Sequence, residues 1–200
     1  FCCLRISKNE LESCSYLLLF INIWSLSMNF AHQIKYSVVA LAMSVSVLAP
    51  AAQAKEDNRD YITGYIGYFD VIGADNSAAQ FGVEYRARQL QYGIRPTIGI
   101  NATNDASVYA YAGFHWDVPL IDNQLYLIPS FVAGAYQNGD GKDLGGALEF
   151  RSGIELAYEF PNAHRLGVAF NHISNASLYR KNPGSETAMV TYSVPLDTMR

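Results

Sequence analysis

Leu148-Glu149-Phe150-Arg151-Ser152-Gly153-Ile154-Glu155-Leu156-Ala157-Tyr158-Glu159-Phe160 alternates apolar and charged residues with a period of two. Successive side chains on a β-strand point to opposite faces. Leu148, Phe150, Ile154, Leu156, Tyr158 and Phe160 therefore share one face, and Glu149, Arg151, Glu155 and Glu159 share the other. Residues 79–89 repeat the pattern, with Phe81, Val83, Tyr85 and Ala87 opposing Gln80, Glu84, Arg86 and Arg88. Arg95 and His115 add to the polar set. The charges carry both signs, as an ion-paired interior requires. A soluble eight-stranded barrel of lipocalin type would put its apolar file inside, around a ligand. A lipid-facing apolar band around a polar lumen fits these segments better.

Eight alternating segments follow one another between Gly, Asn, Asp and Pro clusters, over residues 60–70, 79–89, 94–103, 106–118, 124–136, 146–159, 165–175 and 186–196. Each is near the roughly 9–11 residues of a tilted transmembrane strand. No stretch carries a 3.6-residue apolar stripe. The expected fold is all-β, an eight-stranded antiparallel transmembrane β-barrel of outer-membrane type, whose interior is just wide enough for side chains to fill. Tyr61, Tyr65, Phe69, Phe114, Trp116, Tyr158 and Phe160 lie near segment ends and are expected in the interfacial aromatic girdles. With a periplasmic N-terminus, external loops span about residues 71–78, 103–106, 137–145 and 176–185. Val118–Asn123 and Pro161–His164 become periplasmic turns.

Upstream, Lys35 closes a short n-region from Met28, and an apolar run from Val38 to Ala49 leads to Ala52-Gln53-Ala54, the pattern of a secretory signal and its cleavage site. Residues 28–54 are thus expected to be a signal peptide, residues 1–27 an upstream translated extension, and residues 55–200 the barrel domain. Cys2, Cys3 and Cys14 all precede Lys55, so the mature part has no disulfide and no thiolate chemistry. It keeps 11 basic against 16 acidic residues of the chain's 14 and 18, a net charge of −5 without a basic stripe. Nucleic acid is not an expected partner.

Continuing the seventh segment's outward file of Leu166, Val168 and Phe170 by twos brings in His172 and Ser174. The eighth segment's outward file of Ala188, Val190, Tyr192, Val194 and Leu196 extends to Glu186. A hydroxyl, an imidazole and a carboxylate thus project from the external end of an apolar wall. Serine becomes nucleophilic when a hydrogen-bonded base takes its proton, and a carboxylate can fix that base's tautomer. Same-face neighbours along a strand are about 6.5–7 Å apart and opposed residues about 4.5–5.5 Å, so the three groups can meet once the register is known. Asn175 and Asn182 offer amide groups that polarise an acyl oxygen or order the loop.

His172-Ile173-Ser174-Asn175-Ala176, followed by Asn182-Pro183-Gly184-Ser185-Glu186, resembles the PagL-type lipid A 3-O-deacylases, and the likeness extends to Gly139–Gly145 and Leu148–Leu156. The resemblance implies a cofactor-free esterase of the Gram-negative outer membrane, acting on lipid A or lipopolysaccharide at the external leaflet. It implies Ser174 as nucleophile, His172 as general base, Glu186 as the group orienting His172, and Asn175 and Asn182 in the oxyanion hole or the loop. Two positions depart from the pattern: Leu196 is followed by Asp-Thr-Met-Arg200 instead of a terminal aromatic, and Ser177 stands where some relatives carry glycine. Arg180 and Lys181 are candidates for the lipid A phosphates, Arg being the better bidentate partner. Asn138–Asp143 lacks the ligand spacing and terminal Glu of a calcium loop, and no metal site is expected. His115 is read as an interior residue and His164 as a turn residue. A homodimer is compatible with this reading. The rival is a non-catalytic barrel of the OmpA or OmpX kind, and a third reading sets the same triad against glycerophospholipid.

Overall fold

The computed structural model describes residues 57–121 and 124–196. The proposed extension 1–27 and signal peptide 28–54 lie outside the described residues. Nine strands form: β1 (Asp60–Phe69), β2 (Ala78–Arg86), β3 (Ile94–Thr103), β4 (Val108–Trp116), β5 (Val118–Ile121), β6 (Leu125–Gln137), β7 (Leu148–Glu159), β8 (Arg165–Ser174) and β9 (Ser185–Leu196). All neighbours are antiparallel. Pairing of β4 with β6 and of β1 with β9 closes the sheet, so no long edge is left open. β4 and β5 make one wall, giving eight walls in all.

That fourth wall breaks at Asp117, whose N–H bonds to Gly93 O at 3.0 Å and whose carboxylate turns inward to Arg95 and Arg165. Val118–Ile121, read from the sequence as a turn, instead continues as β5 along β6. Pro119 lies within it. It is tolerated because β5 pairs on one side alone, where a missing N–H costs no ladder bond.

The alternation resolves as expected over most of β7, β8 and β9: charged and polar residues face the lumen and apolar ones the exterior. Among the exceptions are Ala157, Ile173 and Met189 inside and His172, Ser174 and Glu186 outside. At the end holding the chain's entry into β1, Asp117 binds Arg95 Nε at 2.7 Å and Arg165 Nη1 at 2.8 Å. Asp57 binds Arg95 Nη2 at 2.6 Å in the same cluster. Midway, Arg86 joins Glu84 at 2.5 Å and Glu155 at 2.7 Å, and His115 Nε2 lies 3.3 Å from Glu84. Such buried pairs offset their own desolvation more than they add stability, and they fix which side chains fill the lumen.

Two further expectations change. Tyr61, Tyr65 and Phe69 are buried in the lumen and not in a girdle. The Arg165 and Arg95 guanidinium carbons lie 4.7 and 5.0 Å from the Tyr61 ring centre, and Tyr65 and Tyr111 hydroxyls meet at 2.9 Å. Gly82 makes room there, since a Cβ on it would reach within 2.5 Å of the Tyr65 ring. Phe114, Tyr158 and Phe160 do lie on the outer surface. Arg88 is exposed, because β2 ends at Arg86 and the inward phase passes to Gln89.

Candidate functional site

The loops 70–77, 104–107, 138–147 and 175–184 gather at the end opposite the β1 start. Each is tied to a neighbour. Ser107 Oγ donates to Asn138 O at 2.7 Å, Lys142 Nζ to Asp70 Oδ1 at 2.5 Å, and Asn175 Nδ2 to Leu144 O at 2.8 Å.

On the outer wall beneath these loops, the β8–β9 register pairs His172 with Glu186. His172 Nδ1 and Glu186 Oε1 are 3.1 Å apart, so Nδ1–H donates to the carboxylate and Nε2 is left as the acceptor. The two side chains are 37% and 24% exposed, open to the surroundings without being fully solvated. Ser174 sits two positions further along the same outward file, paired across β7 with Phe150. Among the described residues no hydrogen bond joins Ser174 to His172. Nucleophile–base contacts are often long before substrate arrives.

Gly184 explains the close fit at the imidazole. Its φ is +62, which favours glycine, and a Cβ built there would stand 2.9 Å from His172 Cε1. The bare Cα lets the turn into β9 lie against the ring.

Asn175 points inward and is fully buried. Its Nδ2 donates to Leu144 O and Lys181 O, both at 2.8 Å, while its Oδ1 accepts Ser177 N–H at 3.0 Å. Both amide hydrogens are thus engaged in ordering the loop. Asn182 Oδ1 accepts the Asn175 N–H at 3.1 Å, and its Nδ2 donates to Ser177 Oγ at 3.3 Å. Ala176 and Ser177 both adopt positive φ, 53 and 63, a strained pair immediately after Ser174-Asn175. Arg180 and Lys181 are exposed, and Lys181 Nζ lies 3.6 Å from Asp143.

Sequence reasoning missed the groups behind this surface. Asp70, Lys142 and Ser185 form a cluster on the inner side of the wall. Tyr179 covers Gly146 and its hydroxyl accepts the Leu148 N–H at 3.3 Å. Asp70 and Gly146 read only as the ends of the segments 60–70 and 146–159, and these partners are distant in sequence.

The profile of the family described as lipid A 3-O-deacylase (PagL) matches residues 76–195. The chain belongs to this family. The matched span includes His172, Ser174, Asn175, Asn182 and Glu186, and it begins after Asp70. Among solved structures, the outer-membrane enzyme PagL is similar with a TM-score of 0.51 at 20% identity, covering 68% of this chain and 99% of that one. A de novo designed transmembrane β-barrel follows at a TM-score of 0.48 and 14% identity, covering 71% of this chain and 98% of its own. Neisserial surface protein A is similar at a TM-score of 0.48 and 12% identity, covering 69% and 96%. Among proteins of curated function none matches. At these identities the structural likeness is one of fold, and the family rests on the profile.

Proposed function

We propose that this member of the PagL family is a serine esterase that removes the 3-O-linked 3-hydroxyacyl chain of lipid A in the outer leaflet of the outer membrane. The observation that carries the reading is the His172–Glu186 contact at 3.1 Å on the lipid-facing wall, with Ser174 on the same file. A polar trio at the rim of an apolar wall can meet an ester whose acyl chain already lies beside the barrel, so the lipid need not leave the bilayer.

Ser174 Oγ attacks the ester carbonyl as His172 Nε2 takes its proton. Glu186 holds Nδ1–H and stabilises the imidazolium that forms. His172 then returns the proton to the departing sugar oxygen, leaving an acyl-enzyme that water hydrolyses with the imidazole again acting as base. The negative oxygen of each tetrahedral intermediate needs N–H donors. Asn182 supports this role with its second amide N–H, whereas Asn175 serves by shaping the loop. The exposure of Arg180 and Lys181 in the same loop supports a contact with the lipid A phosphates, Arg180 as the bidentate partner. The reaction calls for no metal or cofactor.

Mass spectra of lipid A from cells expressing the chain test this. Loss of one 3-hydroxyacyl group, abolished by Ser174→Ala, is the expected result. An unchanged lipid A would leave a non-catalytic barrel, and release of fatty acid from glycerophospholipid in its place would move the triad to another substrate.

A further inference from the structure

We propose that Asp70 and Ser185 are positioning residues for the Glu186–His172 pair, holding Glu186 from the lumen side of the wall. The inference rests on the reading of His172 as base and Glu186 as its orienter, and it adds residues outside the outer-face site.

The geometry begins with the alternation of β9. Ser185 points inward and is buried, whereas Glu186 points outward. The two share one peptide unit, so anchoring the Ser185 side chain sets the direction in which Glu186 leaves the wall. Ser185 Oγ–H donates to Asp70 Oδ1 at 3.0 Å, and Lys142 Nζ donates to the same oxygen at 2.5 Å. Asp70 Oδ2 accepts the Asn76 N–H at 3.1 Å. Its carboxylate is therefore bonded from three directions.

A second tie runs through the backbone. Phe69 pairs with Thr187 at the end of the β1–β9 ladder, which brings Asp70 opposite Glu186. Just past it, Val71 N–H donates to Glu186 O at 3.1 Å. Glu186 is thus held by its carbonyl, by its neighbour's hydroxyl and, on the other face, by His172. Asp70 takes φ 58, a conformation that Asp and Asn tolerate better than other side chains, and it is fully buried. Burial alone would raise its carboxyl, yet Lys142 and the Asn76 N–H hold it below the usual carboxylate range. A buried charge kept in a strained backbone conformation is costly, and ordering loop 70–77 would not by itself need the bond to Ser185.

The test uses the full chain, purified and folded in detergent micelles, as wild type, Asp70→Asn, Ser185→Ala and the double variant. Folding is followed by the heat-sensitive gel mobility of a closed barrel. Asn keeps the size and the tolerated φ of Asp70 while removing its charge. Ser185→Ala removes one hydroxyl and decides the matter should Asp70→Asn not fold. Expected for each folded variant is a fall in kcat on lipid A of about 10- to 100-fold, the scale of a small misplacement of a catalytic group, with KM nearly unchanged. The downfield NMR resonance of the His172 Nδ1–H bonded to Glu186 should weaken or move upfield in parallel. The double variant should be no worse than the poorer single one, because the two residues act as one chain.

Folded variants that keep both kcat and the Nδ1–H resonance overturn the proposal. So does a loss of kcat with an unmoved resonance, or a change confined to KM. Should the wild type show the resonance yet release no acid from lipid A, the deacylase reading fails and the resonance alone decides the positioning role.

Discussion

Glu186 lies directly across the β8–β9 ladder from His172, and its Oε1 accepts the imidazole Nδ1–H at 3.1 Å. Replacing it by glutamine keeps the size and removes the charge. An amide can also donate to Nδ1, which favours the tautomer with the proton on Nε2, where it blocks the base. Glu186→Gln should therefore lower kcat for lipid A deacylation by roughly 10²- to 10⁴-fold while KM changes little. Retention of most activity by the folded variant would remove Glu186 from the mechanism.

Gly184→Ala tests the packing behind the imidazole. The added Cβ would stand 2.9 Å from His172 Cε1 and would sit on a residue at φ +62. The backbone cost is about 1–2 kcal/mol, small against a closed barrel. The shifted ring should lower kcat about tenfold or more. Gly64→Ala is the control for the loss of a glycine alone, since its Cβ would meet nothing within 4 Å and its φ is not positive. Kinetics and thermal midpoints on both variants separate ring displacement from a general effect of glycine loss.

The barrel is legible where a wall carries one chemical file per face, as β7 does. Along β7, Glu149, Arg151 and Glu155 could only point away from lipid, and they do. β1 misled because aromatics occupy both its files: Tyr68 faces out, while Tyr61, Tyr65 and Phe69 face in. Period two alone cannot choose between them; Arg95, Arg165 and Tyr111 do, from other strands. At the site, the phase of β8 and β9 put His172, Ser174 and Glu186 on the outward files, but the pairing of His172 with Glu186 is a matter of register, which hydropathy does not encode. Asp70 and Ser185 were invisible for the same reason: their bond spans 115 positions.

Asn175 supports the loop from beneath, so its loss should be felt locally. Asn175→Ala deletes three hydrogen bonds and strips the Leu144 and Lys181 carbonyls of a buried donor. At about 1 kcal/mol per bond, plus the cost of orphaned groups, the loop loses several kcal/mol. The strand ladders do not depend on it, and the expected result is local opening. Trypsin should cut after Arg180 or Lys181 much faster in the variant, while the barrel stays resistant. Equal cutting rates in variant and wild type would show that Asn175 does not hold the loop.

Asp57 gives the barrel a defined acid sensitivity at the opposite end. Burial works against its charge, but the Arg59 hydrogen bond and the Arg95 charge outweigh it and hold the carboxyl below its ordinary value. A carboxyl with a lowered folded pKa stabilises the fold fully above its unfolded value, about pH 4, and that stability is lost as the pH falls through the folded value. Asp57→Asn removes this contribution, worth about 1–3 kcal/mol for charged hydrogen bonds. Urea unfolding in micelles should find the variant weaker at neutral pH. Wild type should lose stability more steeply below about pH 4, and the gap between the two should narrow as the pH falls further. A gap that persisted undiminished at the lowest pH would mean that the lost stability came from packing at Asp57 and not from its charge.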